Sequence, residues 1–142
     1  MSAEEILRRL RLFLLLLSSL LFSGALLELW LVNHTEDVVQ WLAFVLAGLG
    51  LSATLSVLFW RGRTTVTVLL VSMVVVILGS LFGIYEHVIN NIAFEREIQP
   101  NATFSQLALK GLSGANPLLA PGVLAVAGLL ALAATYKILD DR

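Results

Sequence analysis

Four apolar runs dominate the chain, at about residues 12–32, 38–60, 66–87 and 118–137. Each holds roughly 20 residues, enough for an α-helix rising about 1.5 Å per residue to cross a hydrocarbon core ~30 Å thick. Inside the runs only Glu28 and Gln40 are strongly polar, apart from Glu86, His87 and Lys137 at their ends. Membrane-spanning β-strands are short and alternate polar with apolar residues, and these runs do neither. The pattern predicts an all-α polytopic membrane protein, a four-transmembrane-helix bundle forming one integral membrane domain over 1–142. Only 13% of the residues are charged, about half the share of a soluble domain. That sets aside a water-soluble enzyme.

Orientation follows from the basic residues. With four spans, both termini share a side with the turn at Arg61 and Arg63. Arg8, Arg9, Arg11, Arg61, Arg63, Lys137 and Arg142 then lie on that side, against Arg96 and Lys110 on the other. Basic residues mark the cytoplasmic face, so both termini are expected in the cytoplasm. The same bias makes these bases an orientation signal and not a nucleic-acid patch. Glu28, Glu36, Asp37, Glu86, Glu95, Glu97 and both histidines, His34 and His87, fall in the outer half. The absence of cysteine removes disulfides, thiolate metal sites and iron–sulfur clusters. The basic, then apolar N-terminus resembles a signal peptide, but its run is longer than a signal core and is read as a retained first span.

Local signals place the ends of the helices. Ser2 with Glu5 predicts a first helix starting near Ala3. Thr35 is expected to cap the second helix, with Glu36 and Asp37 complementing its dipole. Thr64 or Thr65 opens the third. No Gly or Pro interrupts the chain between Gly83 and Pro100, so the third helix is expected to run on outside the membrane to about Gln99. In the extracytoplasmic loop 100–117, Thr103 and Gln106 form a capping box. Phe104, Leu107, Ala108, Gly111 and Leu112 recur at helical spacing with Gln106 and Lys110 opposite, which predicts a short amphipathic helix before the fourth span. Pro117 and Pro121 suit the entry to that span. Gly79, Gly83 and Gly128 are the expected helix-packing positions. Small residues on the second and fourth spans exceed what one bundle obviously needs, so a homo-oligomer or a place in a larger membrane complex is expected.

The polar outer ends carry the candidate site. Glu28, His34, His87, Asn91 and Glu95 are read as one cluster at the outer mouth, with Glu28 beneath the histidines and Glu95 above. An ionisable residue as deep as Glu28 needs a protein or water partner. Three readings are open. The cluster fastens the first helix to the third; it binds Zn²⁺ or Cu²⁺ through His34, His87 and Glu28; or the two histidines hold haem, which their position at the rim disfavours. A proton or solute pathway through Glu28 is a fourth and thinner reading. No nucleophile elbow, phosphate-binding loop or dinucleotide fingerprint stands out, so no enzymatic activity is expected.

The segments Glu28…His34-Thr35-Glu36-Asp37…Gln40-Trp41, Tyr85…His87…Asn91…Phe94-Glu95…Glu97…Pro100, and Leu119-Ala120-Pro121-Gly122…Thr135-Tyr136 resemble a family of small, uncharacterised bacterial integral membrane proteins. No activity is attached to that family. The resemblance implies a four-helix topology in the bacterial inner membrane. On these grounds the function expected is that of an accessory or structural component of a membrane assembly, with the metal-binding role as the alternative.

Topology is directly testable. Cysteines introduced at Ser2 and at Asn101 are expected to react with an impermeant reagent from opposite faces of the membrane. Labelling of both from one face would sink the four-span arrangement.

Overall fold

The computed structural model describes residues 1–35 and 37–139. Glu36 and residues 140–142, which enter the charge and capping arguments above, lie outside the described residues. The described chain forms five α-helices: α1 (Ala3–Leu31), α2 (Val38–Phe59), α3 (Arg63–Ile98), α4 (Phe104–Ser113) and α5 (Leu119–Ala134). Three of them, α1, α2 and α3, are long and apolar enough to cross a membrane, whereas α5 has 16 residues. At about 1.5 Å per residue α5 is ~24 Å long, and the 36-residue α3 ~54 Å.

The helix ends show why. Ser2 accepts a hydrogen bond from the Glu5 amide at 3.2 Å, starting α1 where expected. At its other end Asn33 adopts a left-handed backbone (φ 50°), a conformation that Asn tolerates better than most side chains. The amides of Asn33 and His34 bond back to the carbonyls of Trp30 and Leu29. This is a Schellman closure with Asn in the place glycine usually takes. The cap of α2 differs from expectation: Asp37, not Thr35, accepts from the Val39 amide at 2.7 Å. A carboxylate two residues nearer the helix serves both as cap and as dipole partner. The start of α3 is Gly62, whose amide donates to Thr65 Oγ1 at 2.9 Å. The helix then continues unbroken to Ile98, with Gln99 as its cap before Pro100. The last helix stops short of residue 137. The Thr135 hydroxyl bonds the Leu132 carbonyl within its own turn, and Lys137 takes a left-handed φ of 53°. The chain so turned buries Ile138 in the core.

Around the bundle the order is α1, α2, α3, α5. Helix α1 packs on α2 and α5, and α3 packs on the same two. No Cα of α1 lies within 8 Å of a Cα of α3. The core is filled by Leu15 and Phe22 of α1, Val57 of α2, Leu69, Met73 and Val76 of α3, and a small-residue face of α5 comprising Ala127, Ala131 and Ala134. In lipid, helices gain little from burying apolar area and associate through close packing, which small residues permit. A methyl group at Gly50 would sit 2.5 Å from the Phe22 ring, and one at Gly79 2.5 Å from Leu46. At Gly128 it would lie 3.0 Å from Ile77, and at Gly83 3.2 Å from Pro121. All three glycines expected at packing positions thus lie at contacts within this chain. Buried hydroxyls on the same faces bond the carbonyl one turn back: Ser19 to Leu15, Thr54 to Gly50, Ser80 to Val76. Satisfied in this way, they cost little in a dry interior.

Gly50 and Gly48 make a matched test of the α1–α2 approach. The Phe22 ring has no exposed surface and cannot move aside, so Gly50→Ala is expected to cost about 1–3 kcal/mol by overpacking. Nothing lies within 4 Å of a Cβ at Gly48. Gly48→Ala is expected to leave the melting temperature unchanged or slightly raised, by helix propensity alone. Thermal unfolding in detergent reads both, and the reverse order would contradict the packing.

Candidate functional site

The outer part of α3 presents a column of residues four apart, and the returning chain meets it in register. Glu95 faces Lys110 (3.8 Å), Asn91 faces Gly111 and Asn116, His87 faces Pro117, and Gly83 faces Pro121. Residues spaced by four share one helix face. An antiparallel segment laid on that face meets them in descending order. Helix α4 is held by this packing, with Leu107 and Gly111 buried against α3 and Gly111 close to Ile92 and Val88. Its capping box forms as the sequence predicts: Thr103 and Gln106 exchange bonds, the Thr103 amide donating to Gln106 Oε1 at 2.8 Å.

Asn91 is the centre of this return. It is 2% exposed. Its Nδ2 donates to the carbonyls of Gly111 (3.1 Å) and Asn116 (3.0 Å), and its Oδ1 accepts from the Asn116 amide at 2.8 Å. One carboxamide therefore pairs three backbone groups that no helix serves. Gly114 is packed directly over it. A Cβ there would fall 2.5 Å from Asn91 Cγ, so a side chain at that position would expel the carboxamide. One turn earlier, His87 Nδ1 lies 2.8 Å from the Pro117 carbonyl. A carbonyl only accepts, so Nδ1 carries the proton, and in the neutral ring Nε2 is an acceptor. Glu95 and Lys110 form a looser pair, with the lysine side chain 53% exposed, and add little.

A second feature lies inside the outer mouth of the bundle. A cleft of about 370 Å³ is enclosed by α1, α2, α3 and the start of α5. Glu28, His34, Asp37, Gln40, Glu86, His87, Asn90 and Asn116 line it, and Leu29, Leu42, Leu46, Phe82 and Leu124 make much of its wall apolar. Glu28 is exposed, while His34, Glu86 and His87 are half-buried. The five residues expected in one cluster are thus divided. Glu28, His34 and His87 line the cleft; Asn91 and Glu95 do not, because they face α4. The fastening also differs from expectation. His87 and Asn91 tie α3 to the α4–α5 return, and α1 stands across the bundle from α3. Among the described residues no three His, Cys, Asp or Glu side chains are grouped so as to hold a metal ion.

Sequence reasoning missed Gln40, Asn90 and Asn116 as cleft residues, left Glu86 out of the cluster, and gave Asp37 only a role beside the dipole of α2. The four-residue spacing of Glu86 and Asn90 was the available signal for two of them. The glycines at 111 and 114, placed beside polar loop residues, were the signal for the close contact with α3. Comparison with protein-family models, curated proteins and solved structures gives no match.

Replacing Asn91 by Ala orphans three backbone groups, each worth about 1–3 kcal/mol when buried. The variant is expected to melt at lower temperature and to show faster amide exchange across residues 104–117, with α1 and α2 unchanged. Asn90→Ala, on the exposed neighbouring position, is expected to alter neither. Equal effects of the two would remove Asn91 from its central role.

Proposed function

We propose that this chain is a four-span protein of the bacterial inner membrane, with both termini cytoplasmic, acting as an accessory or structural component of a membrane assembly. In this reading α5 is the fourth span, with the apolar Leu118 before it and, after it, the turn that returns Ile138 to the core. The outer third of α3, with α4 folded along it, stands beyond the bilayer on the extracytoplasmic side. The family resemblance of the polar segments agrees with the location and carries no activity with it.

The observation that supports a structural role is the use to which the outer polar groups are put. Asn91 and His87 spend their hydrogen bonds on backbone carbonyls and an amide of the same chain, leaving a rigid two-helix projection. The projection has exposed apolar side chains at Phe94, Ile98, Phe104, Leu109 and Leu112. Apolar surface on a segment standing outside lipid suits contact with another protein, either a second copy or a different membrane subunit. Photo-crosslinking groups placed at Phe104 or Leu112 in native membranes are expected to capture such a partner, while groups at Ser105 capture less. Recovery of the uncrosslinked monomer alone from all three positions would overturn the accessory role.

One observation favours a second reading, a Zn²⁺ or Cu²⁺ site: His34, His87 and Glu28 all line the same cleft. Metal-dependent thermal stabilisation of the purified chain, abolished by His34→Ala or His87→Ala, would establish it. Stability indifferent to added metal would dismiss it.

A further inference from the structure

We infer that the outer mouth of the bundle is a binding site for an amphiphilic cation, a molecule with an ammonium head and a short hydrocarbon tail. This does not depend on the accessory role proposed above. Among the described residues three carboxylates, Glu28, Asp37 and Glu86, reach the cleft from three different walls, and no Lys or Arg lines it. Asp37 is engaged in capping α2. Glu28 and Glu86 have neither a hydrogen-bond nor an ion-pair partner among the described residues. Glu28 is exposed and Glu86 half-buried, so both present negative charge to the cleft from opposite walls. A cation in the mouth finds acceptors on either side of it.

The rest of the cleft selects which cation. Below Glu86 the α3 wall descends seven residues to Gly79, a depth of about 10 Å. At that level Leu46 and Leu124 line it, and the Ser80 hydroxyl beside them is spent on the Val76 carbonyl. A bare metal ion would gain nothing from this floor, and the imidazoles and carboxylates of the rim are not gathered to ligand distance. An ammonium group behaves differently. Its N–H donors take hydrogen-bond acceptors in place of metal ligands, and the rim offers the Glu28 and Glu86 carboxylates and the Nε2 left to His87 by its bond to Pro117. Its tail then fills the apolar floor. A volume of about 370 Å³ falls in the range of small-molecule sites, in which apolar walls and a few placed polar groups divide the work of affinity and orientation.

The test uses the full chain in phosphatidylcholine nanodiscs with four probes: octylammonium, octanol, octanoate and tetramethylammonium. Binding is measured by equilibrium dialysis against empty nanodiscs and by thermal shift. Octylammonium is expected to bind saturably and to raise the melting temperature. Octanol and octanoate should not, and tetramethylammonium, lacking both the tail and the N–H donors, should bind at least roughly tenfold more weakly. The double variant E28Q/E86Q is expected to lose saturable octylammonium binding while melting, unliganded, as the native chain does. Ala43, another cleft residue, tests the floor independently: Ala43→Phe should reduce octylammonium to the level of tetramethylammonium with both carboxylates intact. If E28Q/E86Q does not fold, Ala43→Phe decides. The inference is overturned if the three octyl probes behave alike, which is partition into lipid. It is equally overturned if neither variant changes octylammonium binding, or if Zn²⁺ alone binds saturably and displaces octylammonium.

Discussion

The buried carboxamide of Asn91 solves a problem set by the chain's return at the outer end of the bundle. Backbone amides and carbonyls outside a helix need partners when water is scarce. From the last turn of α4 at Gly111 to Asn116 the chain leaves one helix and has not yet entered α5. Asn91 supplies two donors and an acceptor to this stretch from the side of a rigid helix. The requirement propagates outward from there. Gly114 must lack a side chain because Asn91 occupies its space. Pro117, which can donate no backbone bond of its own, has its carbonyl fixed by His87. Pro121 then seats on Gly83, so α5 begins against α3 and descends along it.

The cleft is the geometric consequence of where that descent leads. Because α5 packs on both α3 and α1, the latter two are held at opposite corners of the bundle. Lower down, Phe22, Met73, Val76 and the alanines of α5 fill the space between the corners. Near the outer end the helices carry Ala25, Ala43, Gly79, Gly83 and Ala120, and the space stays open. Small side chains that allow close approach in the lower bundle leave room at its mouth. The polar groups of the rim thereby acquire two separate roles. One set fastens the returning chain, and the other lines a vacant space with negative charge. His87 joins them, with one ring nitrogen committed to the fastening and its side chain lining the cleft.

Much of this was legible from local chemistry. The Ser2 cap, the Thr103–Gln106 box, the unbroken run of α3 to Pro100, and three long apolar helices each depend on residues within a few positions of one another. Such interactions need no distant partner. Gly79, Gly83 and Gly128 were also readable as packing positions, since only a residue without a Cβ lets another helix so close. Their partners were not readable. They turned out to be Leu46, Pro121 and Ile77 of the same chain, because spacing records that a face is small but not what lies upon it.

The cluster at the outer mouth shows the same boundary between what sequence and fold each decide. The sequence by itself determined that histidines, carboxylates and carboxamides collect at the C-terminal ends of α1 and α3, because apolar runs of fixed length push polar residues to their ends. Which residues meet was settled only by the tertiary structure, through rotation and neighbour order. Helix α4 claims the face of α3 carrying Asn91 and Glu95, while Glu86, His87 and Asn90 turn towards the cleft shared with Glu28 and His34. One residue along a helix is a turn of about 100° about its axis, so neighbours such as Asn90 and Asn91 face different surroundings. Whether such a pair closes a loop or lines a cleft depends on which element packs against each side.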